Sequence, residues 1–294
     1  MIRTAAVVSL LTVGPAFAGD SVMWGEQSLN GALRVMQAVP GRDPVLVHRL
    51  PPDDDRRHEA LEASAERFAL TVSTARRRSD DSLTINAVAT GGPFKGPLGR
   101  FGCESVTATD VDGDRIAVAG GCGIAIHAPG GVTAIPADEV RDVALAGRYL
   151  AWTGDELVVH DLVTGATALR LSRPLLVEVA LQPDGVVVFS SGSERRQHVA
   201  WAAPGTPGVA RVDTAARFDG LRVADGRVLY ERRTGRREGR RVLMLRSLRD
   251  GTARRLARFT ARRSRVGDLD LTATRAAWGV RPAGRHMRIV VRAL

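Results

Sequence analysis

The chain has 294 residues, 44% of them apolar and 25% charged, with a formal net charge of +10. That balance excludes a disordered chain and a polytopic membrane protein, and two cysteines exclude a disulfide-dense scaffold or a multi-cysteine metal cluster.

Met1-Ile2-Arg3 is a short basic start, residues 4–13 are an apolar run, and Ala16-Phe17-Ala18 has the small-x-small form of a processing site. The run is shorter than the roughly 20 residues a membrane span needs. Residues 1–18 are therefore expected to be a secretory signal peptide cleaved after Ala18, followed by one domain over 19–294. The expected location is outside the cell or in its envelope, with no membrane span after cleavage.

From Gly19 onward one pattern recurs: a small or polar pair, then mostly apolar residues, the last often aromatic. Gly19-Asp20-Ser21-Val22-Met23-Trp24 is the first copy, and Asp225-Gly226-Arg227-Val228-Leu229-Tyr230 is another. The copies end at Trp24, Leu70, Val118, Trp152, Phe189, Tyr230 and Trp278. Alternating runs flank each copy, bounded by Gly and Asp turns, which is the signature of hairpins. Four short strands in a repeat of about 42 residues is the period of a propeller blade. The expected fold is all-β: a propeller of about seven repeats, or six blades with extra strands. The first repeat would lack an inner strand, and the last an outer one. Residues 61–65 fit an inner strand in this register, against the helix that Asp53-Asp54-Asp55 could cap.

The Asp-Gly hairpins ending in an aromatic residue, together with Val158-Val159-His160-Asp161-Leu162-Val163-Thr164-Gly165, resemble secreted β-propellers of the TolB-like and WD40-like kind. The resemblance covers almost all of residues 19–294. It implies a fold whose members chiefly serve as binding platforms, with enzymes a minority.

Val111-Asp112-Gly113-Asp114 reads as a hairpin whose two-residue loop is Asp112-Gly113. Extending that register places Cys103 directly opposite Cys122, and an oxidising compartment would join them as a structural disulfide.

Charge is unevenly placed. Residues 19–210 carry 18 basic and 24 acidic residues, and residues 211–294 carry 23 basic and 8 acidic, a net of +15. The blade topology assigns the Arg-dense stretches to one face and the acidic tight hairpins to the other. Arg232, Arg233, Arg236, Arg237, Arg240, Arg241, Arg262, Arg263 and Arg265 are the expected binding residues for an anionic partner, through the planar guanidinium fork. The expected partner is a protein or an anionic envelope polymer. Nucleic acid is disfavoured because few aromatics interleave the arginines. The protein is expected to be a monomer.

No nucleophile elbow, phosphate loop or zinc-helix motif occurs, and the six histidines have no metal-ligand spacing. No catalytic residue, metal or cofactor is expected. Ser190-Ser191-Gly192-Ser193 reads as a polar linker. One acidic set merits attention: Glu62, Asp110, Asp142, Glu178, Asp219, Asp268 and Asp270 fall in or just before the inner strands that line a propeller channel. The rival to a binding platform is a propeller enzyme, a glycan hydrolase or lyase using these carboxylates.

Overall fold

The structure is a computed structural model of the chain. It describes residues 11–27, 32–50, 56–64, 67–74, 82–89, 95–97, 106–120, 123–193, 195–234, 240–259, 264–282 and 288–294. Among the described residues there is no helix, and every sheet is an antiparallel meander.

The first sheet is β1 (Leu11–Ala18), β2 (Ser21–Gln27), β3 (Leu33–Ala38) and β4 (Val45–Leu50). The second is β5 (Arg56–Ala63), β6 (Arg67–Thr74), β7 (Ser82–Ala89) and β8 (Lys95–Pro97). The third is β9 (Val106–Asp112), β10 (Arg115–Gly120), β11 (Gly123–Ala128) and β12 (Gly131–Ile135). The fourth is β13 (Asp142–Ala146), β14 (Tyr149–Thr153), β15 (Glu156–Asp161) and β16 (Ala166–Ser172). The fifth is β17 (Val179–Leu181), β18 (Val187–Ser193), β19 (Arg196–Ala202) and β20 (Ala210–Ala215). The sixth is β21 (Arg217–Ala224), β22 (Arg227–Thr234), β23 (Arg240–Ser247) and β24 (Ala253–Phe259). The last holds three strands, β25 (Ser264–Leu271), β26 (Arg275–Pro282) and β27 (Arg288–Ala293).

The fold is therefore a β-propeller in which the described residues form six four-stranded blades and a three-stranded sheet that closes the ring. Inner strands pack in sequence order around the channel, and β25 packs against β1. All seven repeat-ending residues lie on the second strands, β2, β6, β10, β14, β18, β22 and β26. Their apolar runs are buried because each blade is covered on both faces by its neighbours. Separate cores fill the spaces between blades: Phe17, Trp24, Ala277 and Ile289 join the last blade to the first, and Leu229, Leu269 and Trp278 join the sixth to the last.

Three expectations need correction. The first blade does have an inner strand, β1, formed by the second half of the expected leader. Ala16, Phe17 and Ala18 are only 1%, 5% and 6% exposed there. Residues 190–193 are not a linker but the end of β18, and the Ser190 hydroxyl accepts the Glu178 N–H. The β9–β10 turn is Gly113-Asp114, because Asp112 pairs with Arg115. The register then shifts by one residue between Ala119 and Gly120. The hairpin count that set Cys103 opposite Cys122 therefore does not hold. Both cysteines lie outside the described residues.

The stretch resembling a WD40 blade is the end of β15 and its turn. The Asp161 carboxylate accepts the N–H groups of Val163 at 3.0 Å and Thr164 at 3.4 Å and pairs with Arg148. These partners, Arg148 first, hold its pKa down at about 2.

Candidate functional site

The inner strands bring acidic side chains to the channel, and the structure shows what they do there. Asp110 uses Oδ1 to accept its own neighbour's N–H, from Val111, and Oδ2 to accept Leu145 N–H in the next blade at 2.6 Å. Asp142 repeats this with Val143 and, at 2.8 Å, with Val179 one blade on. Glu178 accepts Gly220 N–H at 3.1 Å. Asp270 accepts Leu271 N–H and closes the ring by accepting Phe17 N–H from β1. Three aspartates and a glutamate at matching places in the repeat thus clasp the third blade to the fourth, the fourth to the fifth, the fifth to the sixth and the last to the first.

At the centre stands Arg222. Its Nη2 donates to Glu62 Oε1 at 2.7 Å, linking the sixth blade to the second. A bulge in β21 between Asp219 and Arg222 places it, with Gly220 at φ +63°. An inserted residue re-aims the side chains that follow it, and here it sends Arg222 into the channel while Leu221 stays in the core. A Cβ on Gly220 would lie 2.9 Å from Leu269 Cδ1.

Burial raises the pKa of every carboxyl in this set, because the charged form loses water. Asp110 and Glu178 are pushed up to about 7 and Asp142 to about 6; Glu62 and Asp270 also rise. Neighbouring acids add to the rise, while Arg222 and the main-chain N–H bonds oppose it. The acids around it in turn raise the Arg222 pKa, Glu62 most of all. Glu178 Oε2 is buried without a hydrogen-bond partner.

The other two expected channel acids also lie on inner strands, β21 and β25. Asp219 pairs with Arg217 at 3.0 Å and with Arg233. Asp268 is an exposed residue on β25 whose charge still bears on Glu62. No group of three metal-ligating side chains occurs among the described residues.

The expected anion-binding arginines separate into three sets. Arg236, Arg237, Arg262 and Arg263 lie outside the described residues, and of Arg265 the structure describes only its place on β25. Arg232, Arg233 and Arg241 belong to strand ends rather than to a loop and are engaged by the protein's own acids. Arg232 lies 3.4 Å from Asp213, and Glu231 holds Arg233 at 3.0 Å and Arg241 at 3.5 Å. Arg240 is exposed. The exposed charge of this region is instead concentrated on the outermost strand β24 and its turn, at Arg249, Arg254, Arg255 and Arg258.

Sequence reasoning missed Arg222 as the hub. A signal was present: an arginine between the apolar Leu221 and Val223 of an inner strand. The arginine-rich composition hid it.

No protein-family model and no curated protein sequence matches the chain. Solved structures do. BamB from Moraxella catarrhalis aligns with a TM-score of 0.56 at 12% identity, over 96% of this chain and 83% of that one. A WD40 β-propeller domain of Doa1 aligns with a TM-score of 0.58 at 12% identity, over 95% of each chain. A puromycin-hydrolyzing peptidase from Mycobacterium tuberculosis aligns with a TM-score of 0.64 at 14% identity, over 96% of this chain but 51% of that one. At these identities the likeness is one of fold alone, and the class it defines is the β-propeller. No helix among the described residues is long and apolar enough to cross a membrane.

Proposed function

We propose that this protein is an exported, non-catalytic binding platform that captures an anionic partner, a protein or an envelope polymer, through the basic surface of residues 211–294. The observation that carries this reading is the net charge of +15 in that segment, with Arg240, Arg249, Arg254, Arg255 and Arg258 exposed on it. Fixed charge on one part of a surface draws polyanions and speeds their encounter. Export rests on the first eighteen residues.

The geometry of the carboxylates favours the enzyme reading less. A glycosidase needs one carboxyl free to give a proton and another free to attack or to activate water. Both oxygens of Asp110, Asp142 and Asp270 accept main-chain N–H groups, and Glu62 is paired with Arg222. These carboxylates act as clasps between blades.

The test is retention of the full chain on immobilised poly-glutamate and on a neutral matrix, from about 50 mM to about 500 mM salt, where screening weakens exposed charge contacts. Retention on poly-glutamate alone, falling steeply with salt and at least tenfold weaker for Arg254→Glu/Arg255→Glu/Arg258→Glu, is expected. Equal retention of the variant would overturn the assignment of this surface.

A further inference from the structure

Six blades end in a fourth strand, and in the last blade no described residue pairs with the outer edge of β27. An unpaired strand edge presents a row of main-chain donors and acceptors, ready to take another extended chain.

The two flanks of that edge differ in chemistry. Arg292 Nη1 donates to Leu256 O of β24 at 3.1 Å, and Val290 and Leu294 pack in the core shared with the sixth blade. Alternation along the strand puts exposed Arg288 on this same face. Across the gap, Arg254 of β24 stands opposite Leu245, whose side chain belongs to that core, so Arg254 also faces this side. The other face of β27, Ile289 and Val291, packs with Phe17, Trp24 and Met36 of the first blade. Leu46 stands opposite Met36 and is 51% exposed. A strand added to β27 would therefore meet arginines on one face and an exposed leucine on the other.

We propose that the outer edge of β27 takes an extended segment of a partner protein, with acidic residues alternating with apolar ones, as the fourth strand of the last blade. This deepens the anionic-partner reading and rests on it: period-two alternation sends the acids toward Arg254, Arg288 and Arg292 and the apolar side chains toward Leu46. Charge complementarity selects the partner, and main-chain hydrogen bonds to β27 fix its register.

The experiment uses the full chain and a labelled ten-residue peptide alternating Glu and Val. Controls are the same peptide N-methylated at every second residue and a Lys-Val peptide. Anisotropy reads affinity, and amide hydrogen exchange reads the outward-facing amides of β27. The expected result is binding of the Glu-Val peptide with slowed exchange in β27. Binding should fall at least tenfold on N-methylation and at least tenfold for Arg254→Glu/Arg288→Glu, while the Lys-Val peptide does not bind. Binding indifferent to N-methylation, with β27 exchange unchanged, would overturn strand addition and leave the charge reading standing, since poly-glutamate retention tests that separately. Outward amides already slow in the free chain at every concentration would mean that another part of this chain covers the edge. Slowing that depends on protein concentration would mean a second copy. Either result overturns the proposal.

Discussion

Arg222 and Glu62 stand 160 positions apart in the chain and meet at 2.7 Å across the central channel. Their pairing spans the ring between the sixth and second blades, where neighbour-to-neighbour clasps do not reach. The channel keeps partial access to water: the two side chains are 31% and 19% exposed. The pair therefore avoids the full desolvation cost of a buried ion pair. Removing only the cation leaves Glu62 facing Asp110, Asp268 and Asp270, whose charges already act against it.

Arg222→Met is accordingly expected to lower the unfolding free energy at pH 8 by about 3 kcal/mol, the usual cost of stranding a buried charge. Adding Glu62→Gln should recover part of that loss, because the stranded charge is then gone. Urea unfolding of the two variants beside the parent chain checks both. A single-variant loss below about 1 kcal/mol would put the pair in the range of surface ion pairs and remove its role as a tie.

The pH dependence follows from the raised carboxyls. Asp110 and Glu178 titrate at about 7 and Asp142 at about 6 in the folded ring, all above their ordinary values. A carboxyl raised in the folded state binds its proton more tightly there than in the unfolded chain. Lowering the pH from 8 therefore adds stability, as the folded ring takes up protons while the unfolded chain, near pH 4, does not. The gain should appear between about pH 8 and pH 5 and amount to a few kcal/mol. The parent chain should have its highest urea midpoint near pH 5, and Asp110→Asn should flatten the slope. A midpoint that rises steadily from pH 5 to pH 8 would contradict this, and with it the burial of the acids.

The sequence made the second strands legible because an Asp-Gly or similar turn followed by an apolar run carries local information. The ring's closure was less legible. Residues 11–18 are small and apolar, which suits a leader and a buried inner strand equally well, so their place as β1 depends on contacts with Asp270 and Trp278's blade far along the chain. The place of the acidic residues in or just before the inner strands was legible from the repeat alone. Their chemistry was not, since whether an aspartate caps a neighbouring blade's N–H or faces a ligand depends on tertiary register. The cysteine register failed for a smaller reason: the turn uses Gly113 and Asp114, two positions whose composition also permits a turn one residue earlier.

Gly220 tests the bulge that sets Arg222. Its φ is +63°, and a Cβ would press on Leu269 Cδ1 at 2.9 Å. Gly220→Ala is expected to cost about 2–3 kcal/mol from backbone strain and overpacking together. Gly113, at φ +57° in a hairpin turn, has nothing within 4 Å of a Cβ. Gly113→Asn should cost less than about 1 kcal/mol, since Asn tolerates the left-handed region. Thermal unfolding separates the two, and equal midpoints would show that the bulge imposes no special demand.

Phe17 is where the export reading and the fold meet. Its ring is 5% exposed, Arg275 lies over it at 4.9 Å, and its N–H completes the clasp from Asp270. Truncating a buried phenylalanine costs about 3–5 kcal/mol, so Phe17→Ala should lower the urea midpoint of the full chain markedly. Cleavage after Ala18 would remove this side chain, the clasp and the rest of β1 at once. An exported chain beginning at Gly19, identified by intact mass, is therefore expected to unfold at a lower urea concentration than the unprocessed chain, with the loss at least that of Phe17→Ala. The β2 amides that bond β1, on the channel side of the strand, should also exchange faster, because they have lost their partner. Equal midpoints for the processed and unprocessed chains would show that β1 adds nothing to the ring. An exported chain that still carries residues 11–18 would show instead that processing spares the strand that closes it.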